Sequence, residues 1–266
     1  MNIFRYEAKK SLQSFTLWAV NLGLLIFVFM AFYPTFSEDT AMLDKIMENY
    51  PEELLKAFGM DSGMSLSTVL GYFTFIFAFL QLGLAIQASN YGFHIVSVEE
   101  RELTADFLLS KPISRIQILM AKLSSVVLSL VLTNIAVALC SYASIVVFGM
   151  GKDYESKHLI LLLASSILFQ LLFFAVGMLI SLTQKKIRSV LSYSMALAFT
   201  TYILNAVRGI VGGEFLGLFS PFYYFEPGLI LQKGSLSVMA YLSLPIIFIC
   251  VTLSFILYQK RNIHSL

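Results

Sequence analysis

The sequence predicts an all-α integral membrane protein with six transmembrane helices. Apolar residues make up 58% of the 266 residues and charged residues only 13%, whereas a soluble domain carries about 25% charged residues. The apolar residues collect in six stretches, each close to or above the roughly 20 residues needed to cross hydrocarbon. With the amino terminus in the cytoplasm, 12 of the 18 Lys and Arg residues fall on the cytoplasmic side, as the positive-inside rule requires.

The chain begins with an amphipathic segment, Met1 to Leu12, in which Ile3, Phe4 and Ala8 share one helical face. This pattern predicts an interfacial helix lying on the membrane. Six spans follow in a single domain of residues 1–266, with predicted bounds 15–33, 67–90, 116–148, 159–182, 190–211 and 236–258. The third span is too long for a bilayer, so we expect its first turns, with Lys122, to stand in the cytoplasm.

Two external connections have a pattern of their own. Residues 34–65 form a long acidic link, and 43–58 within it predicts helix broken at Pro51. Residues 212–234 are apolar and aromatic but contain two prolines and several glycines. Such a segment predicts short re-entrant helices that dip into the outer leaflet. We expect the aromatic rings of this segment to lie at headgroup level, namely Phe222, Tyr223, Tyr224 and Phe225.

The longest charged run between two spans covers residues 99–115. Its polar and apolar positions predict a short amphipathic helix over 99–109 on the cytoplasmic face. Pro112 ends this helix because proline disfavours helix at the residue before it. Ser114 is then placed to cap the helix that enters the third span. A solvated charged loop is the simpler alternative for the same residues.

Several classes of chemistry find little support in the sequence. Glycines and a lysine occur together at 149–152, but their spacing is not that of an ATP-binding P-loop. No metal site is expected, because His94, His158 and His264 lack a second ligand at helical spacing. The paired Glu99 and Glu100 resemble those of CAAX-processing proteases, but Thr104 stands where that family has arginine. The scattered basic residues also indicate no nucleic acid partner.

Polar residues within the spans are mostly amides and hydroxyls. The amides are Asn21, Gln81, Gln87, Asn90, Asn134, Gln170 and Asn205, and we expect them to form hydrogen bonds between helices. Cys140 and Cys250 lie in apolar stretches and are expected to be buried thiols. Arg208 lies near the outer end of the fifth span. It can pair with Glu214, although extension of its side chain towards water is the favoured expectation.

Two sequence motifs resemble those of a known family. The run from Glu100 to Arg115, ERELTADFLLSKPISR, is similar to the first cytoplasmic loop of ABC-2 type transporter permeases, with Leu103 where glycine is usual. The run from Ser220 to Phe225, SPFYYF, resembles the segment before the last span in the bacitracin-resistance and nitrous-oxide-cluster subgroup. Six spans with both termini in the cytoplasm agree with that family, which indicates a multi-pass protein of a bacterial plasma membrane.

The resemblance implies the membrane subunit of an ATP-driven transporter, with no catalytic site of its own. No cofactor is bound directly, because ATP and Mg²⁺ belong to a separate P-loop subunit. The helix 99–109 is then a coupling helix, and its expected contact residues are Glu99, Glu100, Arg101, Glu102, Phe107, Leu108, Pro112 and Arg115. A second permease copy or a paralogue completes the pathway in the lipid membrane. Its expected outer-gate residues are Arg208, Glu214, Phe222, Tyr223, Tyr224 and Phe225.

Export of an amphipathic or hydrophobic cargo, such as an antimicrobial peptide or a lipid-linked molecule, fits spans with few charges. Two other functions share the topology. A membrane scaffold or immunity protein binds a toxin or sensor without transport, and a secondary carrier uses an ion gradient without ATP. The lack of an acidic residue in mid-membrane weakens the carrier hypothesis, since ion-driven carriers usually keep one there.

Overall fold

The computed structural model describes residues 3–38, 65–101, 114–184, 186–211 and 213–260, with the backbone alone for 3–10, 99–101 and 214. All regular secondary structure in these ranges is helical. In chain order the helices are α1 (Ile3–Met30), α2 (Tyr33–Glu38), α3 (Val69–Arg101), α4 (Arg115–Phe148), α5 (Ser156–Thr183), α6 (Val190–Val211), α7 (Glu214–Gly217), α8 (Pro221–Tyr224), α9 (Pro227–Lys233) and α10 (Val238–Lys260). Six stretches are long and apolar enough to cross a membrane, which confirms the predicted fold class.

The amino-terminal segment is helical as expected, but it is not a separate element. Helix α1 runs from Ile3 to Met30 without interruption, so its first turns extend the first span directly. Pro34 explains where α1 ends, since a proline ring clashes with the carbonyl group four residues earlier, here that of Met30. The helix predicted over 43–58 lies outside the described residues.

The second span is longer than the sequence predicts. Helix α3 starts at Val69 and continues past the expected end at Asn90 to Arg101. Its 33 residues span about 50 Å at a rise of about 1.5 Å per residue. No proline interrupts residues 90–101, and the polar residues at its end are compatible with helix. The charged end of α3 is therefore a rigid continuation of a membrane span.

Helices α3 and α5 form the centre of the bundle. In their most apolar windows 67% and 56% of the residues are buried, against 22–33% in the other four spans. Helix α5 packs along both α3 and α10, α6 packs along α3, and α1 packs along α4. The peripheral helices consequently leave wide apolar faces exposed, as expected for a chain whose solvent is hydrocarbon.

Two glycines allow α3 and α5 to cross closely. A Cβ atom built on Gly92 would lie 2.5 Å from the Phe174 carbonyl oxygen and 2.8 Å from the Met178 nitrogen. A Cβ on Gly177 would lie 3.1 Å from the Ser89 carbonyl oxygen. Small residues at such crossings let helix backbones approach in membranes. Since the obstructing atoms belong to the backbone, a side-chain movement cannot make room for a larger residue.

A ring of hydrogen bonds joins α3, α4 and α5 inside the bundle. Asn134 on α4 donates to Gln170 on α5 over 2.6 Å, and Gln170 donates to Gln87 on α3 over 3.0 Å. Gln87 donates to the Thr133 hydroxyl over 2.9 Å, and Thr133 donates to the Ser129 carbonyl oxygen. The hydrogen bonds thus run from Asn134 on α4 through α5 and α3 and end on α4 again, at Thr133. This confirms the inter-helix role expected for these three amides.

Serine side chains extend this polar network to α1. The Ser11 hydroxyl lies 3.1 Å from that of Ser125 and 2.6 Å from that of Ser129. Hydrogen bonds of this kind contribute about 0.6–2 kcal/mol each between membrane helices. Asn21 differs from the ring amides, because its side chain is exposed and donates to the Leu17 carbonyl oxygen of its own helix.

The close crossing of α3 and α5 makes Gly92→Ala a sharp test. We expect this variant to be less stable by about 2 kcal/mol. Overpacking costs about 3 kcal/mol at the upper end of its usual range, and the better helix propensity of alanine recovers about 1 kcal/mol. The midpoint of thermal unfolding in detergent measures the effect. Gly213→Ala is the control, because a Cβ there meets Leu216 at an ordinary 3.6 Å. Equal midpoints for both variants would contradict the close packing.

Candidate functional site

The expected coupling region begins inside α3. Glu99, Glu100 and Arg101 belong to the last turn of that helix. Four other expected contact residues, Glu102, Phe107, Leu108 and Pro112, lie outside the described residues. The described part of the region therefore starts as a continuation of the second span. The short amphipathic helix over 99–109 stays a prediction.

The far end of the same region is fixed by a capping box. The Ser114 hydroxyl accepts a hydrogen bond from the Gln117 backbone nitrogen over 3.2 Å. The Gln117 side chain in turn accepts from the Ser114 backbone nitrogen over 3.2 Å. This reciprocal pair satisfies two of the donors that a helix leaves open at its start, and it confirms Ser114 as the predicted cap. The described residues on either side of 102–113 are thus the last turn of α3 and a capped first turn of α4.

Arg115, the last residue of the expected contact set, reaches another helix. Its Nη1 atom donates to the Gln259 carbonyl oxygen in the last turn of α10 over 3.4 Å. A cation is favoured there, because the final carbonyl groups of a helix carry partial negative charge. Arg115 therefore joins the start of the third span to the end of the sixth, a contact that the sequence motif did not suggest.

Lys122, expected among the cytoplasmic first turns of the third span, is buried in the bundle. Its side chain is only 2% exposed, and its position relative to the membrane stays a prediction. Its Nζ atom donates to the Ile95 carbonyl oxygen on α3 over 2.9 Å. The lysine is buried because α3 continues alongside α4 here instead of ending at Asn90.

Arg208 lies at the other end of the bundle, in the last turn of α6. Its guanidinium group forms an ion pair with Glu226, with 3.5 Å between Nη2 and Oε2. The same group lies 4.0 Å above the centre of the Tyr223 ring, and Nε donates to Asn205 over 3.3 Å. The favoured expectation that Arg208 extends towards water is therefore wrong. The Glu214 side chain is not among the described parts of the structure. Glu226 is a partner of Arg208 that the sequence analysis did not identify.

A glycine makes room for this cluster. A Cβ atom on Gly217 would lie 2.5 Å from the Tyr223 ring and 3.0 Å from Cδ of Arg208. The ring and the arginine side chain thus occupy the space above the last residue of α7. A cation–π contact contributes about 0.5–1 kcal/mol at exposed sites and more where water is excluded. We call Arg208, Gly217, Tyr223 and Glu226 the outer cluster.

Three of the neighbouring aromatic rings, which were expected at headgroup level, are enclosed by protein. Phe222, Tyr224 and Phe225 are 3%, 4% and 1% exposed, so protein covers them. Phe222 meets Phe169 and Phe173 of α5 edge-on, with ring centres 5.3 and 5.6 Å apart. The two prolines and the short helices turn the segment inward, which lets these rings fill the outer end of the bundle.

Side chains from the spans satisfy the irregular backbone of this segment. Gln81 donates to the Phe225 carbonyl oxygen over 2.8 Å, and Ser220 donates to the Thr201 carbonyl oxygen over 2.7 Å. The Tyr224 hydroxyl donates to the Leu218 carbonyl oxygen, and burial raises the pKa of Tyr224, which keeps this donor protonated. Non-helical backbone at membrane depth needs such partners. The short helices therefore form a fixed cover over the end of the bundle.

The fold and these two regions agree with one family of membrane proteins. A sequence profile for ABC-2 family transporter protein matches residues 1–226 of the chain. The chain belongs to this family. A search of curated protein sequences finds no match to it. The matched residues include the first five spans, the region between α3 and α4, and the outer cluster up to Glu226.

This ABC-2 family member is a multi-pass membrane protein and the membrane permease of an ABC transporter. Members of the family are transmembrane subunits, and the ATPase is a separate component. The described residues of the two expected sites lie at opposite ends of the bundle. Arg208 and Tyr223 are in direct contact, whereas Phe222, Tyr224 and Phe225 form a separate buried group behind them.

The contacts of Arg208 predict that it stabilises the cover formed by α7, α8 and α9. We expect Arg208→Met to weaken that cover by about 1–2 kcal/mol, since it removes a partly exposed ion pair and a cation–π contact. Amide hydrogen exchange over residues 213–233 should then become faster in detergent. Arg188→Met, at an exposed position, is the control. If the effects of Arg208→Met and Glu226→Gln add in the double variant, the two side chains do not interact.

Proposed function

We propose that this permease is an exporter subunit that a separate P-loop ATPase drives by docking on residues 99–115. The observation that carries this proposal is that both described ends of that segment are continuous with membrane spans. At one end α3 reaches Arg101 without a break, and at the other the Ser114 capping box starts α4. A partner that displaces the last turn of α3 or the first turn of α4 therefore displaces the membrane span that continues from it.

The position of α3 supports transmission of such a movement. Helix α3 is the most buried span, and it packs against α5 and α6. Tilting it would displace the centre of the bundle, which is a hinge or shear movement of the kind that transporters use. Arg115 provides a second route, because it contacts the last turn of α10. Closure of an ATPase dimer is thereby able to reach the spans on both sides of the centre.

Charge complementarity sets the choice of ATPase in this proposal. Glu99, Glu100, Arg101 and Glu102 would face charged groups of opposite sign on the ATPase, which favours the correct partner over others. Phe107 and Leu108 would supply apolar anchors, since buried aromatic side chains often carry much of the binding energy at an interface. Pro112 would separate this docking segment from the first turn of α4. ATP and Mg²⁺ would be held by the ATPase alone.

Both chain ends face the cytoplasm in this arrangement. The distribution of Lys and Arg supports this orientation, since 12 of the 18 fall on that side. It places residues 99–115 where a soluble ATPase is present and the outer cluster on the opposite side. The outer cluster and the buried rings behind it would then form the outer gate of the pathway.

Exposed polar side chains on α1 support pairing with a second permease copy. Thr16 and Asn21 are exposed polar residues on the outer side of this helix. Thr16 and Asn21 bond only to backbone oxygens of α1 among the described contacts. A primary amide has two N–H groups and one oxygen, and leaving such groups towards lipid is costly. A second copy placed over this face would cover them, with the pathway at the interface.

The spans support an amphipathic or hydrophobic cargo, such as an antimicrobial peptide or a lipid-linked molecule. Glu38, at the end of α2, is the one acidic residue within the described spans. A pathway lined by spans with so few charged residues suits a cargo with an apolar surface better than an inorganic ion. Export of labelled peptide or lipid-linked substrate from vesicles, dependent on ATP, tests this cargo class. Movement of inorganic ions alone would contradict it.

Purification of the tagged protein from its own cells tests the coupling proposal directly. We expect a soluble P-loop subunit in stoichiometric amount with the wild type and its loss with Glu100→Arg, which reverses a docking charge. Mass spectrometry identifies the partner, and transport per ATP hydrolysed measures coupling. Glu155→Arg, an exposed reversal at the other end of the bundle, is the matched control. Normal assembly and coupled transport by Glu100→Arg would rule out the docking role.

Cysteine cross-linking tests the second copy. We expect Asn21→Cys to form a covalent dimer with a short bifunctional thiol reagent in native membranes, because a second copy lies over this face. Val238→Cys is the control, since that residue is 80% exposed on α10, away from the proposed interface. Equal cross-linking of the two variants, or none with Asn21→Cys, would argue against pairing through α1.

A further inference from the structure

A short basic turn connects α5 to α6 near the end of α3. We call its residues Lys186, Ile187, Arg188 and Ser189 the basic turn. Its backbone is not helical, and α6 begins directly after it at Val190. The basic turn belongs neither to the segment 99–115 nor to the outer cluster, so the proposed function gives it no role.

Ile187 attaches the basic turn to the bundle. Its side chain is 3% exposed and packs in a small apolar cluster with Phe93 of α3 and Val190 of α6. The far end of the turn is fixed by Ser189, whose hydroxyl accepts a hydrogen bond from the Ser192 backbone nitrogen over 3.3 Å. The turn therefore has a defined position beside α3 and α6.

The burial of Ile187 leaves the cations on either side of it exposed. Exposure alternates along the turn, because Lys186 is exposed, Ile187 is buried and Arg188 is exposed again. The Cα atoms of Lys186 and Arg188 are two residues apart, which is at most about 7 Å. Both long side chains are therefore able to reach one small anionic group.

The charge of these two side chains is not neutralised by the described part of the protein. No described residue forms a hydrogen bond or an ion pair with the side chain of Lys186 or Arg188. Arg115 and Lys122 differ in this respect, since each donates to a backbone carbonyl oxygen of another helix. The basic turn thus presents two cations to a group outside the described residues.

The length of α6 places the basic turn at the membrane surface. Helix α6 has 22 residues, about 33 Å at about 1.5 Å per residue, and the hydrocarbon core measures about 30 Å. The residues before Val190 therefore lie at the level of the lipid headgroups. Helix α3 continues from Phe93 to Arg101, about 12 Å further along its axis. Its end projects beyond the headgroups, whereas the basic turn stays among them.

We propose that the basic turn binds the headgroup of an anionic phospholipid. Arg188 donates paired hydrogen bonds to the phosphate oxygens, and Lys186 adds a compact positive charge. Basic residues beside a membrane span attract anionic headgroups in this way. The bound lipid holds the turn at the membrane surface, next to the part of α3 that continues to Arg101. The proposal does not depend on the ATPase or on the cargo.

Native mass spectrometry of the purified full-length protein, titrated with short-chain phosphatidylglycerol, tests this site. We expect the tightest binding step to be about 30-fold weaker in the double variant Lys186→Gln/Arg188→Gln. This is the about 2 kcal/mol that two basic residues contribute beside anionic lipid. Unchanged affinity in this variant would overturn the proposal.

A double variant at the other end of the bundle controls for net charge. Lys157→Gln/Lys233→Gln removes the same charge from two exposed positions, and it should bind phosphatidylglycerol in the tightest step as the wild type does. An equal loss of affinity in both double variants would show that net charge alone attracts the lipid. That result would overturn the assignment to the basic turn.

Ile187→Ala tests the attachment of the turn without changing its charge. We expect an affinity about fivefold weaker, equivalent to losing the contribution of one cation, because the two side chains are no longer held beside each other. Unchanged affinity would contradict a defined site. If this variant folds poorly, the double variant decides, since both of its positions are exposed.

Two further probes identify the bound group. Phosphatidylcholine should bind the wild type about as weakly as phosphatidylglycerol binds Lys186→Gln/Arg188→Gln, because its choline group cancels the phosphate charge. Inorganic phosphate should displace little phosphatidylglycerol, since acyl chains keep the lipid in the micelle beside the turn. Equal binding of phosphatidylcholine would remove the role of charge, and full displacement by inorganic phosphate would assign the site to the free ion.

Copurification distinguishes a lipid site from a second contact with the ATPase. Lys186→Gln/Arg188→Gln should retain the soluble P-loop subunit that Glu100→Arg is expected to lose. Loss of that subunit from the double variant, with unchanged phosphatidylglycerol affinity, would assign the basic turn to the ATPase instead. Lipid binding is measured on the permease alone, so a failure of the coupling proposal leaves this test intact.

Discussion

The hydrogen-bond ring of Asn134, Gln170, Gln87 and Thr133 is the constraint on which the bundle depends. Apolar side chains gain little by packing together in lipid, because the surrounding acyl chains are equally apolar. Directional bonds and close contact must therefore choose one arrangement of the helices. The ring makes that choice for α3, α4 and α5, and the glycines at 92 and 177 allow the close approach of α3 and α5.

The two functional regions differ in how they attach to this block. The region between α3 and α4 is a direct continuation of two of its helices, joined through helical backbone and a capped first turn. The outer segment is attached by side chains, namely Gln81, Ser220 and the Arg208–Glu226 pair. Displacement at the first region must therefore move the block, whereas movement of the second would have to break these side-chain contacts and the packing of Phe222 and Phe225 on α5. This asymmetry suits a protein driven from one side and opened on the other.

Local and periodic features of the sequence were sufficient for most of the fold. Long apolar stretches gave all six spans, and Ser114 was found because a cap and its partner lie three residues apart. Features that depend on packing between helices could not be predicted from the sequence. The helical end of α3 is polar and so shows no apolar signal, which hid both its length and the burial of Lys122. Glu226 lies in an irregular segment whose path, and hence its contact with Arg208, no residue spacing specifies.

The length of α3 links the permease to the membrane around it. About 50 Å of continuous helix crosses a hydrocarbon layer of about 30 Å, and its charged end is joined to the segment proposed to receive the ATPase. A spanning helix responds to bilayer thickness mainly by changing its tilt. In a thicker or thinner bilayer the same helix would hold that segment at another height and angle. Lipid chain length thus becomes a determinant of how well the two subunits fit together.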